Sequence, residues 1–235
     1  MNFLVFLGTS RDSSPPRPKR LGARVAKACI KHFEHYDAVA VTSDKAHNES
    51  QKAQISVELV DVLDYPLHEV FKPHFAYAKG RAPAELNELA GKIKAADGYI
   101  MISPEYNHSM SPALANLLNH FGSSLFSYKP SAIVTYSAGQ WGGVRAAVNL
   151  RSFLSELGCL PVSGMVHFPK AHEVFTSDGG LQEGQNEEEW HQYLDRSFSQ
   201  LIWWSEACHI QKKKQDPNEI IGSFQKSPSQ RNTPS

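Results

Sequence analysis

Four short, continuous apolar runs are the feature of this sequence that most restricts its fold. A run that is apolar throughout, rather than at alternate positions, is typical of a strand that is buried on both faces. Such strands belong to parallel sheets that helices cover on each side. The four runs span Phe3 to Leu7, Tyr99 to Ile102, Ala132 to Tyr136 and Leu160 to Val166.

A fifth run, Ile55 to Val62, has a different pattern. Its apolar residues alternate with polar ones, among them Glu58 and Asp61, which predicts a half-exposed strand at the edge of the sheet. Because neighbouring parallel strands need long crossover connections, strands that alternate with helices predict an α/β protein. We expect a doubly wound, five-stranded parallel sheet with helices on both faces.

The predicted helices are the segments in which apolar residues follow the i, i+3, i+4, i+7 spacing, so that each helix lays one apolar stripe on the sheet. The stripes are Ala26, Cys29, Ile30 and Phe33; Leu86, Leu89, Ala90 and Ile93; Leu114, Leu117, Leu118 and Phe121; Val144, Ala147, Val148, Leu154 and Leu157; and Trp190, Tyr193, Leu194, Phe198, Leu201 and Ile202.

This alternation predicts a single domain over residues 1–210. Two segments interrupt it: Ser43 to Gln54 is polar and resembles an insertion loop, and Asp64 to Arg81 is too long and too aromatic for a plain connector. We expect the second to be a functional or oligomer-contact loop. Residues 211–235 run through Lys212-Lys213-Lys214 into Pro, Ser, Gln and Asn, a composition that predicts a disordered tail.

Composition excludes several classes of function. The chain has 24 basic and 24 acidic residues, so no uniform field attracts nucleic acid or an anionic membrane. No apolar run is long enough to span a bilayer, and the opening run is too short for a signal peptide. The three cysteines have no CxxC spacing and the eleven histidines match no common ligand set. We expect a cytoplasmic protein without disulfides or a metal.

The turn after the first strand, Gly8-Thr9-Ser10-Arg11, is a candidate phosphate site. Its hydroxyl and guanidinium side chains are hydrogen-bond donors that lie between the end of a strand and the start of a helix about ten residues later. The unpaired backbone N–H groups at a helix start also favour an anion. Neither the Walker pattern nor GxGxxG is present. By itself this signal is weak, because a Ser-Arg pair at the end of a strand is usually ordinary turn chemistry.

The third predicted strand along the chain, Tyr99 to Ile102, is followed by the turn Ser103-Pro104-Glu105-Tyr106-Asn107. In an open α/β sheet, ligands bind at the carboxyl ends of the strands where the winding direction reverses, here between the first and third strands. Two prolines stiffen this loop, and Ser111-Pro112 forms a helix start with an N-cap serine. Two interpretations remain open: a site for a planar ring that Tyr106 covers, or a capped turn.

The run from Ser103 to Asn107, followed by Ser-x-Ser-Pro-Ala-Leu-Ala-Asn-Leu-Leu-Asn, resembles the signature of the NADPH-dependent FMN reductase family. Gly8-Thr9-Ser10-Arg11 is similar to that family's Gly-Ser-x-Arg. The resemblance covers roughly residues 1–165. It implies a flavodoxin-like sheet with FMN at its carboxyl edge, and a homodimer or homotetramer with the flavin near the subunit interface.

The resemblance also implies roles for individual residues. It places Ser10 and Arg11 at the FMN phosphate, the four residues from Pro104 to Asn107 beside the flavin ring, and the Gly-rich loop after the fourth strand on the other side of the ring. This chain has extra residues after Arg11, so further phosphate contacts are expected only among Arg17, Arg20 and Leu21. The flavin-side residues are Pro104, Glu105, Tyr106, Asn107, Ser137, Ala138 and Gly139.

The function implied is an FMN-dependent NAD(P)H oxidoreductase that reduces quinones or related acceptors, among them azo compounds, by two-electron hydride transfer. His108 with Tyr77 or Trp141 would line the acceptor site. No side-chain acid or base is expected to be catalytic, since the cofactor supplies the redox chemistry. Two alternatives remain: an FMN reductase that supplies free reduced flavin to a partner enzyme, and a non-enzymatic electron carrier or regulatory protein.

Overall fold

The computed structural model of the chain describes residues 1–14, 19–43, 55–65, 67 and 71–220. The predicted insertion loop, apart from Ser43, and the candidate phosphate residue Arg17 lie outside these residues. Among the residues described, no helix is long and apolar enough to cross a membrane.

The core of the protein is a five-stranded sheet in the order β2-β1-β3-β4-β5, with every neighbouring pair parallel. The doubly wound, five-stranded sheet predicted from the apolar runs is confirmed. So is the position of the alternating run, since β2 lies at an edge. The strands are β1 (Asn2–Leu7), β2 (Ser56–Asp61), β3 (Gly98–Pro104), β4 (Pro130–Tyr136) and β5 (Leu160–Phe168).

Helices cover both faces of the sheet, as predicted. One core contains the inner sides of α1, α6 and α7, and the other contains those of α2, α3, α4 and α5. Short 3₁₀ turns lie at Val62–Asp64 and His74–Ala76. The helices are α1 (Leu21–Ser43), α2 (Ala84–Ala95), α3 (Pro112–Asn119), α4 (Ser123–Phe126), α5 (Val144–Glu156), α6 (Ala171–Val174), α7 (Glu187–Lys214) and α8 (Pro217–Ile220).

The strand order places the reversal of winding between β1 and β3, as expected from the sequence. β1 pairs with β2 on one side and with β3 on the other, and Leu7 is opposite Ile102. The loops that follow these two strands therefore begin side by side. Gly8 is needed at this point because a Cβ atom there would lie 2.6 Å from the Leu114 Cβ and 2.9 Å from the Ile102 carbonyl oxygen.

Two details of the sequence prediction are wrong. The stripe assigned to α5 includes Val144 and Val148, yet both are exposed, because the helix buries Ala146, Ala147, Leu150 and Leu154 instead. The predicted tail began at residue 211, but α7 continues through Lys214 and α8 follows it. The three lysines lie in the last turn of α7, where the negative end of the helix dipole stabilises their positive charges. Residues 221–235 lie outside the described part.

Candidate functional site

The loop after β1 offers hydrogen-bond donors to solvent. Ser10 and Arg11 are exposed, and within the described residues neither side chain makes a hydrogen bond or an ion pair. The Thr9 side chain is buried, and its hydroxyl accepts a bond from the backbone N–H of Arg11 at 3.2 Å. This contact shapes the turn and leaves the Ser10 hydroxyl and the Arg11 guanidinium available for an anion.

Arg20 is placed differently from the expectation that it contacts the phosphate directly. It is 6% exposed, and both terminal nitrogens are engaged, with the Asp61 carboxylate at the end of β2 and with the Thr9 carbonyl oxygen. The Nη2 to Asp61 Oδ1 distance is 2.9 Å. Its Nε is buried and has no partner among the described residues. Arg20 therefore holds the loop after β1 in place by linking the Thr9 carbonyl oxygen to the Asp61 carboxylate.

Leu21, the other candidate near the phosphate, is the first residue of α1. Its partly buried side chain packs against the core on that face of the sheet, so only its backbone is suited to a phosphate. Gly22 beside it has a packing reason, since a Cβ there would lie 2.4 Å from the Tyr136 hydroxyl. Burial raises the pKa of Tyr136, which keeps this phenol neutral under the start of α1.

The loop after β3 contains a tight turn. Tyr106 and Ser109 exchange two backbone hydrogen bonds, at 3.0 and 2.9 Å, across a two-residue connection. The central residues, Asn107 and His108, have φ values of +49° and +62°. A two-residue turn of this kind requires left-handed backbone, which asparagine tolerates better than most residues. Asn107 thus has a conformational role in addition to the one that the resemblance implies.

The rest of that loop is held by its serines. The Ser103 hydroxyl accepts a hydrogen bond from the Ser111 backbone N–H at 2.9 Å, which closes the loop at its base. The Ser111 hydroxyl in turn accepts one from the Ala113 N–H at 3.2 Å, so the predicted N-cap of α3 is confirmed. Pro104 is the last residue of β3 and is buried. The loop is rigid where it leaves the sheet.

Glu105 connects two loops. Its side chain accepts a hydrogen bond from the Arg145 backbone N–H at 3.2 Å and lies 3.5 Å from the Arg145 guanidinium. Arg145 belongs to the first turn of α5, where an acidic group is favoured by the helix dipole. The Asn149 side chain donates to the His108 carbonyl oxygen at 3.1 Å. The loop after β3 is thereby attached to α5.

The Gly-rich loop after β4 turns back on itself. The Ser137 hydroxyl donates to the Gly139 carbonyl oxygen at 2.7 Å and accepts from the Gly142 N–H at 3.0 Å. Ala138 and Gly139 are exposed, and a Cβ at Gly139 would meet no atom within 4 Å. Position 143 requires glycine for a different reason: its φ is +79°, and a Cβ there would lie 2.9 Å from the Thr135 Cβ.

Thr135 and His167 form a chain of hydrogen bonds that supports that loop. The Thr135 hydroxyl donates to the Gly142 carbonyl oxygen at 2.8 Å, so it accepts the hydrogen bond from His167 Nδ1, also at 2.8 Å. The network therefore assigns the proton of the neutral imidazole to Nδ1. Burial and, to a smaller extent, the charge of Arg196 lower the pKa of His167. The histidine is thus held neutral and positions the loop.

These loops meet at one edge of the sheet. The Thr9 and Tyr106 hydroxyl oxygens are 3.4 Å apart, which brings the turn after β1 against the turn after β3. Glu105 then joins the second turn to Arg145 at the start of α5, the helix that follows the loop from Ser137 to Gly143. Ser10 and Arg11 are exposed in the first of these loops, Tyr106 is 38% exposed in the second, and a Cβ at Gly139 in the third would meet no atom within 4 Å.

This arrangement fits a mononucleotide with a planar ring. Exposed hydroxyl and guanidinium donors suit a phosphate, and the orphaned Nε of Arg20 marks a buried donor in the same region. Two of the three candidate acceptor-site residues lie beside α5: the Trp141 ring is 5.8 Å from the Arg145 guanidinium, and the His108 carbonyl oxygen is bonded to Asn149. The third, Tyr77, contacts Lys72 in the segment before α2. Within the described residues, no three His, Cys, Asp or Glu side chains form a group that could hold a metal.

Several residues that organise the site were not found by sequence reasoning. Asp61, Thr135, Arg145 and His167 each act through a partner far away in the chain, so no local pattern identifies them. The position of Arg145 directly after a Gly-Gly-Val turn at a helix start was the one usable signal. Asp61 was noted only as an interruption of an edge strand.

A parallel sheet in this strand order, with these loops at the β1/β3 reversal, defines a flavodoxin-like, nucleotide-binding α/β protein. The sequence model of the NADPH-dependent FMN reductases matches residues 1–173, and the chain belongs to that family. The match includes all three loops of the site.

Individual proteins agree with this assignment. The chain is 34% identical over 131 residues to an NAD(P)H-dependent FMN reductase of Pseudomonas aeruginosa, which covers 54% of this chain and 68% of the relative. It is 31% identical over 149 residues to a probable NADPH:quinone oxidoreductase of Oryza sativa subsp. japonica, covering 60% of this chain and 72% of the relative. The fold is similar to that of a flavoenzyme NAD(P)H:(acceptor) oxidoreductase from Paracoccus denitrificans, with a TM-score of 0.59, 19% identity, and coverage of 86% and 97% of the two chains.

Proposed function

We propose that this protein binds FMN at the edge formed by the loops after β1, β3 and β4, and uses NAD(P)H to reduce quinones or related acceptors, azo compounds among them. The observation that carries the proposal is the convergence of an exposed Ser10-Arg11 anion site with the Tyr106 turn at the β1/β3 reversal. Membership of a family of NADPH-dependent FMN reductases supports the same cofactors.

Each loop has a distinct task in holding the cofactor. Ser10 and Arg11 bind the phosphate, and Arg20 acts as a positioning residue because its terminal nitrogens already bind Asp61 and the Thr9 carbonyl. The backbone from Pro104 to Asn107 contacts one side of the flavin ring, with Tyr106 next to it. Residues 137–139 contact the other side, where Gly139 leaves open space.

When bound, FMN supplies the redox chemistry, taking a hydride from NAD(P)H and passing two electrons to the acceptor. The protein contributes preorganised backbone donors from the loops after β3 and β4, which favour negative charge at the edge of the ring. Glu105 holds the first of these loops against α5 by accepting the Arg145 N–H, and Thr135 holds the second through the Gly142 carbonyl oxygen. Trp141 is 59% exposed, so its ring, together with that of His108, is available to pack against a flat acceptor.

The purified protein tests the proposal directly. We expect a flavin absorbance spectrum that survives dialysis, and quinone-dependent oxidation of NADPH or NADH. A colourless protein that reduces added FMN would instead favour the reductase that releases reduced flavin. The electron-carrier alternative is not favoured, because the family and the related proteins are reductases. Absence of flavin binding on titration would overturn the proposal.

We further propose that the protein is a cytoplasmic homodimer or homotetramer. Support comes from three exposed apolar side chains next to the Gly-rich loop: Trp141, Val144 and Val148, the last of them 63% exposed. Neighbouring exposed apolar groups of this kind are typical of an interaction surface. Light scattering coupled to size exclusion measures the assembly, and Val148→Lys should shift it toward the monomer, whereas Leu59→Lys, at an exposed position of β2, should not.

A further inference from the structure

A cavity lies at the opposite edge of the sheet from the flavin loops. It has a volume of about 540 Å³, within the range of sites for small molecules. Asp97, directly before β3, Lys129, directly before β4, and Leu160, the first residue of β5, form its floor. β3 has seven residues, so roughly 20 Å separates this amino-edge pocket from the loop at Glu105.

The C-terminal half of α7 forms the other wall, with Trp204, Ala207 and Cys208 facing the cavity. Trp204 and Leu160 are each 48% exposed, an unusual exposure for two large apolar side chains that line the same cavity. An indole ring and a branched aliphatic side chain suit the face of an aromatic ring. The α7 residues lie beyond the part of the chain that the family model matches, residues 1–173.

The charges at the amino-edge pocket are mostly positive. Lys129 is 9% exposed, and its ammonium donates to two carbonyl oxygens in the last turn of α2 at 2.6 and 2.8 Å and to that of Leu125 at 3.0 Å. Lys212 also lines the cavity. Burial, followed by the positive charge of Lys212, lowers the pKa of Lys129 to about 7. The two ammonium groups therefore repel one another across the cavity.

One acidic residue lines the cavity, and it has partners. Asp97 accepts a hydrogen bond from the Asn2 backbone N–H at 2.8 Å, and its other oxygen lies 3.1 Å from His209 Nδ1. Its negative charge also favours the charged form of Lys129, but by less than burial and the positive charge of Lys212 oppose it. Lys94, in the last turn of α2, adds a further positive charge near Lys129. A negative group in the cavity would relieve this excess.

The backbone next to the lysine is strained. Tyr128, which also lines the cavity, has a φ of +62°, and a bulky side chain rarely adopts that conformation. Residues in such conformations cluster at ligand sites, where the surrounding structure holds them. The strain lies in the connection between α4 and β4, which also delivers Lys129 to the cavity floor.

We propose that the amino-edge pocket binds a small aromatic anion, with its ring against Trp204 and Leu160 and its negative group toward Lys212. Lys129, whose three N–H donors are already bound to carbonyl oxygens, contributes only its charge. The ligand class is that of ring systems bearing one carboxylate or sulfonate. The site is separate from the flavin site and its occupancy does not depend on FMN.

The test uses the FMN-saturated full-length protein and isothermal titration calorimetry with 1-naphthalenesulfonate. One saturable site is expected, with the same affinity in protein stripped of FMN. The neutral ring 1-naphthalenemethanol should bind about fivefold more weakly, as expected for loss of one partly exposed charge contact. No saturable binding of the sulfonate, equal binding of the neutral compound, or competition by FMN would each overturn the proposal.

Two matched pairs of variants locate the site. Lys212→Gln should weaken binding of the sulfonate about fivefold, and Lys213→Gln, one residue along but outside the cavity lining, should not. Trp204→Ala should weaken binding of both ring compounds, and Trp203→Ala, which removes the exposed indole that contacts Trp204 from outside the lining, should leave both unchanged. Equal effects within either pair would contradict the assignment. All four positions are exposed, so folding is expected to be retained, and the unfolding temperature verifies it.

Discussion

The Glu105 carboxylate accepts the backbone N–H of Arg145 at 3.2 Å and pairs with the guanidinium of the same residue at 3.5 Å. These two contacts attach the loop after β3 to the first turn of α5. The glutamate is only 13% exposed in this position, so its charge is both shielded and satisfied. The acidic residue of the motif therefore acts on the arrangement of the flavin-side loops.

Glu105→Gln should weaken FMN binding about threefold, because the amide keeps the hydrogen bond from the Arg145 N–H but loses the ion pair with the partly exposed guanidinium, worth less than about 1 kcal/mol. Fluorescence quenching of FMN measures the dissociation constant. Glu206→Gln, an exposed change on α7, is the control and should have no effect. Equal affinities for Glu105→Gln and the unchanged protein would show that the two loops do not need this contact.

Arg11→Gln should weaken FMN binding about tenfold and leave riboflavin binding unchanged, because the guanidinium serves only the phosphate. The measurement is the ratio of the two dissociation constants. Lys19→Gln removes a nearby exposed cation and should change the ratio little. If riboflavin binding falls equally for Arg11→Gln, the side chain has another task.

Asp61→Asn should lower the free energy of unfolding by about 3 kcal/mol, because it leaves the buried guanidinium of Arg20 without its counter-charge. Urea denaturation gives the value. Asp64→Asn, in the exposed turn that follows β2, is the matched control and should be nearly neutral. A loss below about 1 kcal/mol for Asp61→Asn would mean that water reaches Arg20.

Two glycines of the same loop should behave oppositely. Gly143→Ala should destabilise the protein by about 2 kcal/mol, because the residue has a φ of +79° and its Cβ would lie 2.9 Å from the Thr135 Cβ. Gly139→Ala meets no atom within 4 Å, so thermal unfolding should hardly change. If the flavin ring lies against Gly139, the same variant should still weaken FMN binding. Unchanged binding would remove residue 139 from the ring site.

His167 should make stability depend on pH. Its ordinary pKa of 6.5 is lowered in the folded protein by burial and then by the charge of Arg196. Below pH 6.5 the unfolded chain therefore takes up a proton that the folded protein does not, and stability is lost as the pH falls toward the lowered pKa, after which the loss is complete.

His167→Asn removes this titration and keeps an N–H donor for the Thr135 hydroxyl. Chemical denaturation of both proteins between about pH 5 and pH 8 isolates the effect, because all other groups are shared. The stability of the unchanged protein relative to His167→Asn should decrease as the pH falls below 6.5. Parallel pH profiles would contradict the assignment.

The sequence was sufficient for features that depend on local pattern. The apolar run from Tyr99 to Ile102 identifies a buried strand, because a strand covered on both faces must be apolar throughout. The spacing of Leu86, Leu89, Ala90 and Ile93 identifies one face of α2, and all four are buried. The N-cap at Ser111 is equally local, since it follows from the chemistry of a serine placed directly before a proline at a helix start.

The tertiary structure decided which side chains are already engaged. Arg20 was a candidate phosphate ligand by its position in the chain, but Asp61, 41 residues away, binds its terminal nitrogens. Val148 fits the helical stripe of α5, yet it faces outward, because the direction in which a helix packs depends on the sheet beneath it. Contacts between Glu105 and Arg145, or Thr135 and His167, exist only after parallel strands bring their carboxyl ends to one edge. Sequence pattern therefore determined the elements and the edge at which the candidate site lies, whereas long-range packing determined which candidate residues stay exposed and which are engaged in holding the loops in place.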